Sequence, residues 1–93
     1  MRDPDVQRIM ADPSAASSDI DDEVVVLSMA RGQYFGLNDV AGQIWRWMRE
    51  PRTRQELIDL LVAEFEVDPE RAAGDLDRLL DDLRGRELVV DVP

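Results

Sequence analysis

An α+β fold is what this sequence predicts: a three-stranded antiparallel sheet followed by three helices, arranged as a winged helix-turn-helix. Three observations point there. The β-branched run Glu23-Val-Val-Val-Leu-Ser-Met29 is joined through Ala30-Arg31-Gly32 to Gln33-Tyr-Phe-Gly-Leu37, which reads as a hairpin, or wing. Three stretches with the apolar period of helices follow, separated by brief turns. The 93 residues suit one domain with a single modest core.

The elements follow in chain order. Residues 1–14, with Pro4, Pro13 and three Asp, read as a flexible N-terminal arm in which Val6, Ile9 and Met10 have the makings of a helical turn; the domain proper spans 15–93. Ala15 to Ile20 fits a short strand and Asp21-Asp22 a turn. Gly32 is suited to the positive φ that a tight connection demands. Asn38 or Asp39 can cap the first helix, on which Ala41, Ile44, Trp45 and Met48 share a face. Val40 and Trp47 lie on a neighbouring stripe, so this helix has apolar material for two sides. Both Trp residues fit core packing better than a ligand box, because they sit on apolar helical stripes.

Pro51 ends that helix, since the residue before a proline avoids the α region. Thr53-Arg-Gln-Glu56 matches a capping box, and Leu57, Ile58, Leu61 and Phe65 form the buried stripe of the second helix. Asp68-Pro69 supplies an N-cap and a proline at the first helical position of the third, which runs to about Arg84 with Gly85 as its stop. Leu88-Val-Val90 then fits a short strand or a core plug. On the third helix Ala73, Leu76, Leu80 and Leu83 make an inward stripe. Ala72 and Leu79 widen it on one side, flanked by Asp75, Asp82 and Arg86. Leu79 suits a core margin and a docking surface equally.

Composition narrows the function. With 21 acidic against 11 basic residues the net charge is −10, and every basic residue is Arg. Such a chain repels phosphate backbones, and the third helix sets Asp75, Asp77, Asp81 and Asp82 against Arg71, Arg78 and Arg84. Nucleic acid is therefore a poor partner, although winged helices often bind DNA. Without Cys or His the chain has no thiolate nucleophile, Cys or His metal ligand, or imidazole base. The adjacent pairs Asp21-Asp22 and Asp81-Asp82 fall in a turn and on a polar helix face, where carboxylates are solvated rather than catalytic. The four Ser residues all precede the first clear helix, which argues against a carrier protein with a phosphopantetheine arm. No catalytic residue, metal or cofactor is expected. No apolar run reaches membrane-spanning length and no signal peptide is evident, so the cytoplasm is the simplest compartment.

Peptide binding remains. An outer strand at Gln33–Leu37 would offer unpaired N–H and C=O groups to an extended peptide. Gly36 keeps its backbone approachable, and Tyr34 and Phe35 place aromatic bulk on opposite faces.

These pieces together resemble a known family. Tyr34-Phe-Gly-Leu-Asn38, Ala41-x-x-Ile44-Trp45, Thr53-x-x-Glu56-Leu57 and Asp75-x-x-x-Leu79-Leu80-x-x-Leu83, in a helix ending Arg86-x-Leu88, resemble the precursor-peptide recognition elements similar to the pyrroloquinoline-quinone biosynthesis chaperone. The likeness covers roughly residues 15 to 90. The quinone-pathway branch commonly shows Cys-Asp-Gly after the first helix, where this chain has Arg49-Glu50-Pro51. The family often has Gly near position 51 and at position 87, here Pro51 and Glu87. The stand-alone leader-binding proteins of lasso-peptide pathways are the branch it matches best.

The resemblance implies a leader peptide added as a further strand along the third strand and packed against the third helix. Carried onto this chain, the contacts come from Gln33, Tyr34, Phe35, Gly36 and Leu37, and from Ala72, Asp75, Leu76, Leu79 and Asp82. It implies a non-enzymatic adaptor whose partners are a precursor leader and a leader peptidase or other modifying enzyme. An acidic winged-helix module with another protein partner is the alternative, with a DNA-binding regulator behind it.

Overall fold

The computed structural model describes residues 7–21, 23–29 and 31–92. It is α+β, with two three-stranded antiparallel sheets and three helices. One sheet, in the order β2-β3-β4, comprises β2 (Ala16–Ile20), β3 (Glu23–Ser28) and β4 (Gln33–Leu37). The expected hairpin is present: Ser28 pairs with Gln33 and Val24 with Leu37, and Gly32 takes φ +63° in the connection. Period-two burial fixes its register. Val24, Val26 and Ser28 are buried on β3 while Val25 and Leu27 are half-buried on the other face.

The second sheet was not foreseen. Arg8–Ala11, read from sequence as part of a flexible arm or a helical turn, is instead strand β1. It lies between β5 (Arg52–Thr53) and β6 (Val89–Val92), in the order β5-β1-β6. Ile9 and Ala11 alternate into the core at 5% and 7% exposure, while half-buried Met10 points the other way. Two inward positions in a four-residue strand give almost no local signal, and both pairing partners are distant in sequence. Val6 lies outside the described residues.

The helices are α1 (Asp39–Trp47), α2 (Arg54–Phe65) and α3 (Pro69–Gly85). Asn38 caps α1 by accepting from the Ala41 N–H at 2.9 Å. Ile44, Trp45 and Met48 are buried to 1% or less. Gly42 lets α1 approach the sheet closely, since a Cβ there would lie 3.1 Å from Val24 Cγ2. Thr53 and Glu56 complete the capping box of α2 in both directions. The backbone and hydroxyl of Thr53 hold the Glu56 carboxyl below its ordinary range. Leu57, Ile58 and Leu61 are buried as expected, and Phe65 is half-buried.

On α3 the buried stripe is Ala72, Leu76, Leu80 and Leu83, so Ala73 is its margin rather than part of its centre. Asp68 holds the N-cap position without a side-chain hydrogen bond, leaving Pro69 as the main start signal. The C-terminal stop also differs from the expected Gly85. Glu87 takes the left-handed conformation at φ +60°, and the N–H groups of Glu87 and Leu88 donate to the Arg84 and Leu83 carbonyls at 3.0 and 2.9 Å. This is a Schellman ending with Leu88 packed in the core, at 0% exposure like Leu83. A family glycine at position 87 would suit that backbone without strain.

Ion pairs tie the layers together. Asp19 of β2 meets Arg46 of α1 and Arg49 just beyond that helix at 3.4 and 3.6 Å. Arg54 of α2 grips Asp77 of α3 through two 2.9 Å hydrogen bonds, which hold the Asp77 carboxyl below its ordinary range. These contacts tie α1 to the β2-β3-β4 sheet and α3 to α2.

Candidate peptide-binding site

Strand β4 pairs with β3 on one side, and no described strand pairs with its other side. Its outer margin is therefore an open ladder of backbone donors and acceptors. The strand's side chains divide between two faces. Phe35 and Leu37 turn toward the helices, where Leu37 is buried at 8% exposure and Phe35 packs half-buried on the core. Tyr34, 72% exposed, and Gly36 lie on the opposite face. A Cβ at Gly36 would meet nothing within 4 Å, so the backbone there is open to approach.

Beyond the end of β4, α1 and α3 enclose an open cavity of about 310 Å³. Asn38, Val40, Ala41 and Ile44 form one wall, Asp75 and Leu79 the other. A second cavity of about 240 Å³ adjoins it, sharing Val40 and Asp75 and extending to Phe65 and Val67. Together they make an apolar trough leading away from the strand. At the other end Arg86 closes the gap between β4 and α3. Its guanidinium lies 4.1 Å from the Phe35 ring centroid while its Nε donates to Asp82 at 3.1 Å. Arg31, in the β3–β4 turn, donates to the Gly85 carbonyl at 2.9 Å.

The sequence-derived residues thus fall into distinct positions. Asp75 and Leu79 join the cavity at the end of β4. Asp75 is also paired with Arg71 and Arg78 of its own helix. Asp82 anchors the Arg86 clasp. Ala72 lines the second cavity and is 2% exposed; Leu76, at 0%, lies wholly in the core beneath the site. Gln33 is exposed at the start of the strand. Sequence reasoning missed Val40, Ala41 and Ile44 as cavity walls, although the double apolar stripe of α1 was the available signal. It also missed the Phe35–Arg86 contact, which joins residues far apart in the chain.

Such a site can hold an extended chain by backbone hydrogen bonds while receiving apolar side chains in the trough. Filling it with one aliphatic or aromatic side chain contributes roughly 1.5–3 kcal/mol. Among the described residues no group of three or more carboxylates is placed to hold a metal ion, and no helix is long and apolar enough to cross a membrane.

Comparison with known proteins decides the family. Residues 23–89 match the family described as Coenzyme PQQ synthesis protein D (PqqD). The chain belongs to the PqqD family. Among solved structures, one described as TbiB1 in complex with the TbiA(beta) leader peptide is 36% identical to it, with a TM-score of 0.81 over 86% of this chain and 93% of that one. A second, described as lasso peptide synthetase B1 complexed with the leader peptide, has a TM-score of 0.77 at 23% identity, over 88% and 96% of the two chains, and shares the fold. No curated protein matches the chain. The family match spans β3 through the first residue of β6, so it takes in β4, α1 and α3, all three of the elements that frame the site.

Proposed function

We propose that this PqqD-family chain is a non-catalytic adaptor that binds the leader segment of a ribosomally made precursor peptide. The leader adds to β4 as a fourth strand of the β2-β3-β4 sheet and lodges apolar side chains between α1 and α3. One observation above all supports this: β4 has no described partner on its outer margin, and a cavity walled by Leu79 and Asp75 begins at Asn38, the residue that follows the strand. The 36% identity to TbiB1, solved with a leader peptide, points the same way, and a lasso-peptide pathway is the branch that the sequence motifs resemble. In this reading the β3–β4 hairpin is the wing of a winged helix-turn-helix, used to seat peptide instead of DNA. The adaptor works in the cytoplasm, raising the effective concentration of precursor at a leader peptidase or other modifying enzyme, and makes no covalent bond itself.

Calorimetric titration with a synthetic leader tests the proposal, with one-to-one binding as the expected result. Gly36→Pro removes a backbone N–H from β4 and is expected to weaken binding at least about tenfold. Gly36→Ala, whose Cβ has open space, is expected to keep it. No measurable heat with the wild-type chain would refute the proposal.

A further inference from the structure

We infer that Arg86 is the recognition point for a carboxylate side chain of the leader, carried on the helix-facing side of the added strand, and that this pair fixes the leader's register on β4. The inference rests on the leader-binding reading above. Arg86 is the C-cap residue of α3, and its guanidinium lies over the Phe35 ring, 4.1 Å from the centroid. Its Nε donates to Asp82 at 3.1 Å, while neither Nη group has a partner among the described residues. Ring and carboxylate hold the guanidinium in place, and the edge formed by the two Nη groups keeps the donors that grip a carboxylate bidentately. The side chain is 39% exposed, so a bound peptide can reach that edge.

Charge complementarity selects the occupant. The chain carries 21 acidic residues, and among the described arginines only Arg8 and Arg31 form no ion pair. Arg31 stands at this end of the groove. From the β3–β4 turn it donates to the carbonyl of Gly85, the residue before Arg86. Two guanidiniums therefore meet the end of α3 beside β4, and Asp82 is the only described carboxylate paired with either. Directly opposed residues on neighbouring strands have Cβ atoms about 4.5–5.5 Å apart, so an Asp or Glu across from Phe35 falls within reach of the guanidinium over that ring. An aliphatic side chain there would exclude water from the Nη donors and give them no acceptor. A slip of one residue would turn the acid to the other face of the sheet, and a slip of two would carry it about 7 Å along the strand.

The test titrates the synthetic leader, with each Asp and Glu replaced singly by Asn or Gln, against the wild-type chain and against Arg86→Gln. That variant keeps the backbone N–H that donates to the Asp82 and Leu83 carbonyls. One leader replacement is expected to weaken binding to the wild-type chain at least about tenfold, and Arg86→Gln to weaken the unaltered leader by a like factor. The two combined are expected to cost little more than either alone, a coupling that a merely structural Arg86 would not produce. Replacements all tolerated within about twofold by the wild-type chain, or a bound segment without Asp or Glu, overturn the inference and leave the leader reading in place. This arm decides the matter even if Arg86→Gln fails to fold. Losses that multiply when combined overturn the inference as well. A wild-type chain that binds no form of the leader overturns the leader reading itself.

Discussion

Leu79→Asp is expected to weaken leader binding roughly 100-fold, on the order of 3 kcal/mol, because it sets a carboxylate in the apolar wall proposed to receive the peptide. Leu79 is half-buried at the edge of the core and lines the α1–α3 cavity beside Asp75. Its side chain therefore borders solvent in the free protein, where a carboxylate keeps its hydration. A docked leader would exclude that water and set the new charge close to Asp75. Stability should fall little, since Leu76, Leu80 and Leu83 still fill the core side of α3. Calorimetry with the leader, alongside thermal melting, separates the two effects. Unchanged affinity would remove Leu79 from the site.

Leu76→Ala should do the reverse. Leu76 is one turn away from Leu80 and at 0% exposure sits wholly in the core. Truncating it leaves a cavity and is expected to cost about 2–5 kcal/mol of folding stability, read from the denaturant midpoint at constant slope. Affinity of the fraction that remains folded should change far less than in Leu79→Asp. A large loss of affinity with stability intact would instead give Leu76 a direct place in the groove. Two leucines three residues apart on one helix thus divide the work, one supporting the site and the other facing it.

The contrast shows what can be read from residues alone. Local signals were legible: the hairpin around Gly32, the Asn38 cap, the Thr53–Glu56 box and Pro69 all act through neighbours within a few positions. The outer strand and the apolar shoulder at Leu79 were also visible, because side-chain period follows directly from backbone geometry. What escaped was non-local. Strand β1 exists because β5 and β6, from distant parts of the chain, meet on either side of it. On α3 the expected Leu76, Leu80 and Leu83 are buried, and only the first stripe position differed, because Ala72 and Ala73 are equally apolar and only the packed core distinguishes them. The α3 ending fell to Glu87, since the Schellman hydrogen bonds and the burial of Leu88 outweigh the modest cost of a left-handed non-glycine residue.

The site shows the same division. Tyr34 and Phe35 lie on opposite faces of an outer strand as expected, whereas the α1 wall depended on the placement of a second helix. Gly42 helps set that placement, through the close approach of α1 to Val24. Arg86 reaches Phe35 only because the end of α3 meets the strand, which no spacing in the sequence announces.

Strand addition to β4 is best tested by N-methylating the leader's backbone amides one at a time and titrating each peptide against the wild-type chain. Amides that face β4 alternate along an added strand with amides that face away. The expected result is a loss of about tenfold or more at every second residue and near-normal affinity at those between. Equal sensitivity at consecutive residues, or none along the bound segment, would contradict pairing with the β4 margin.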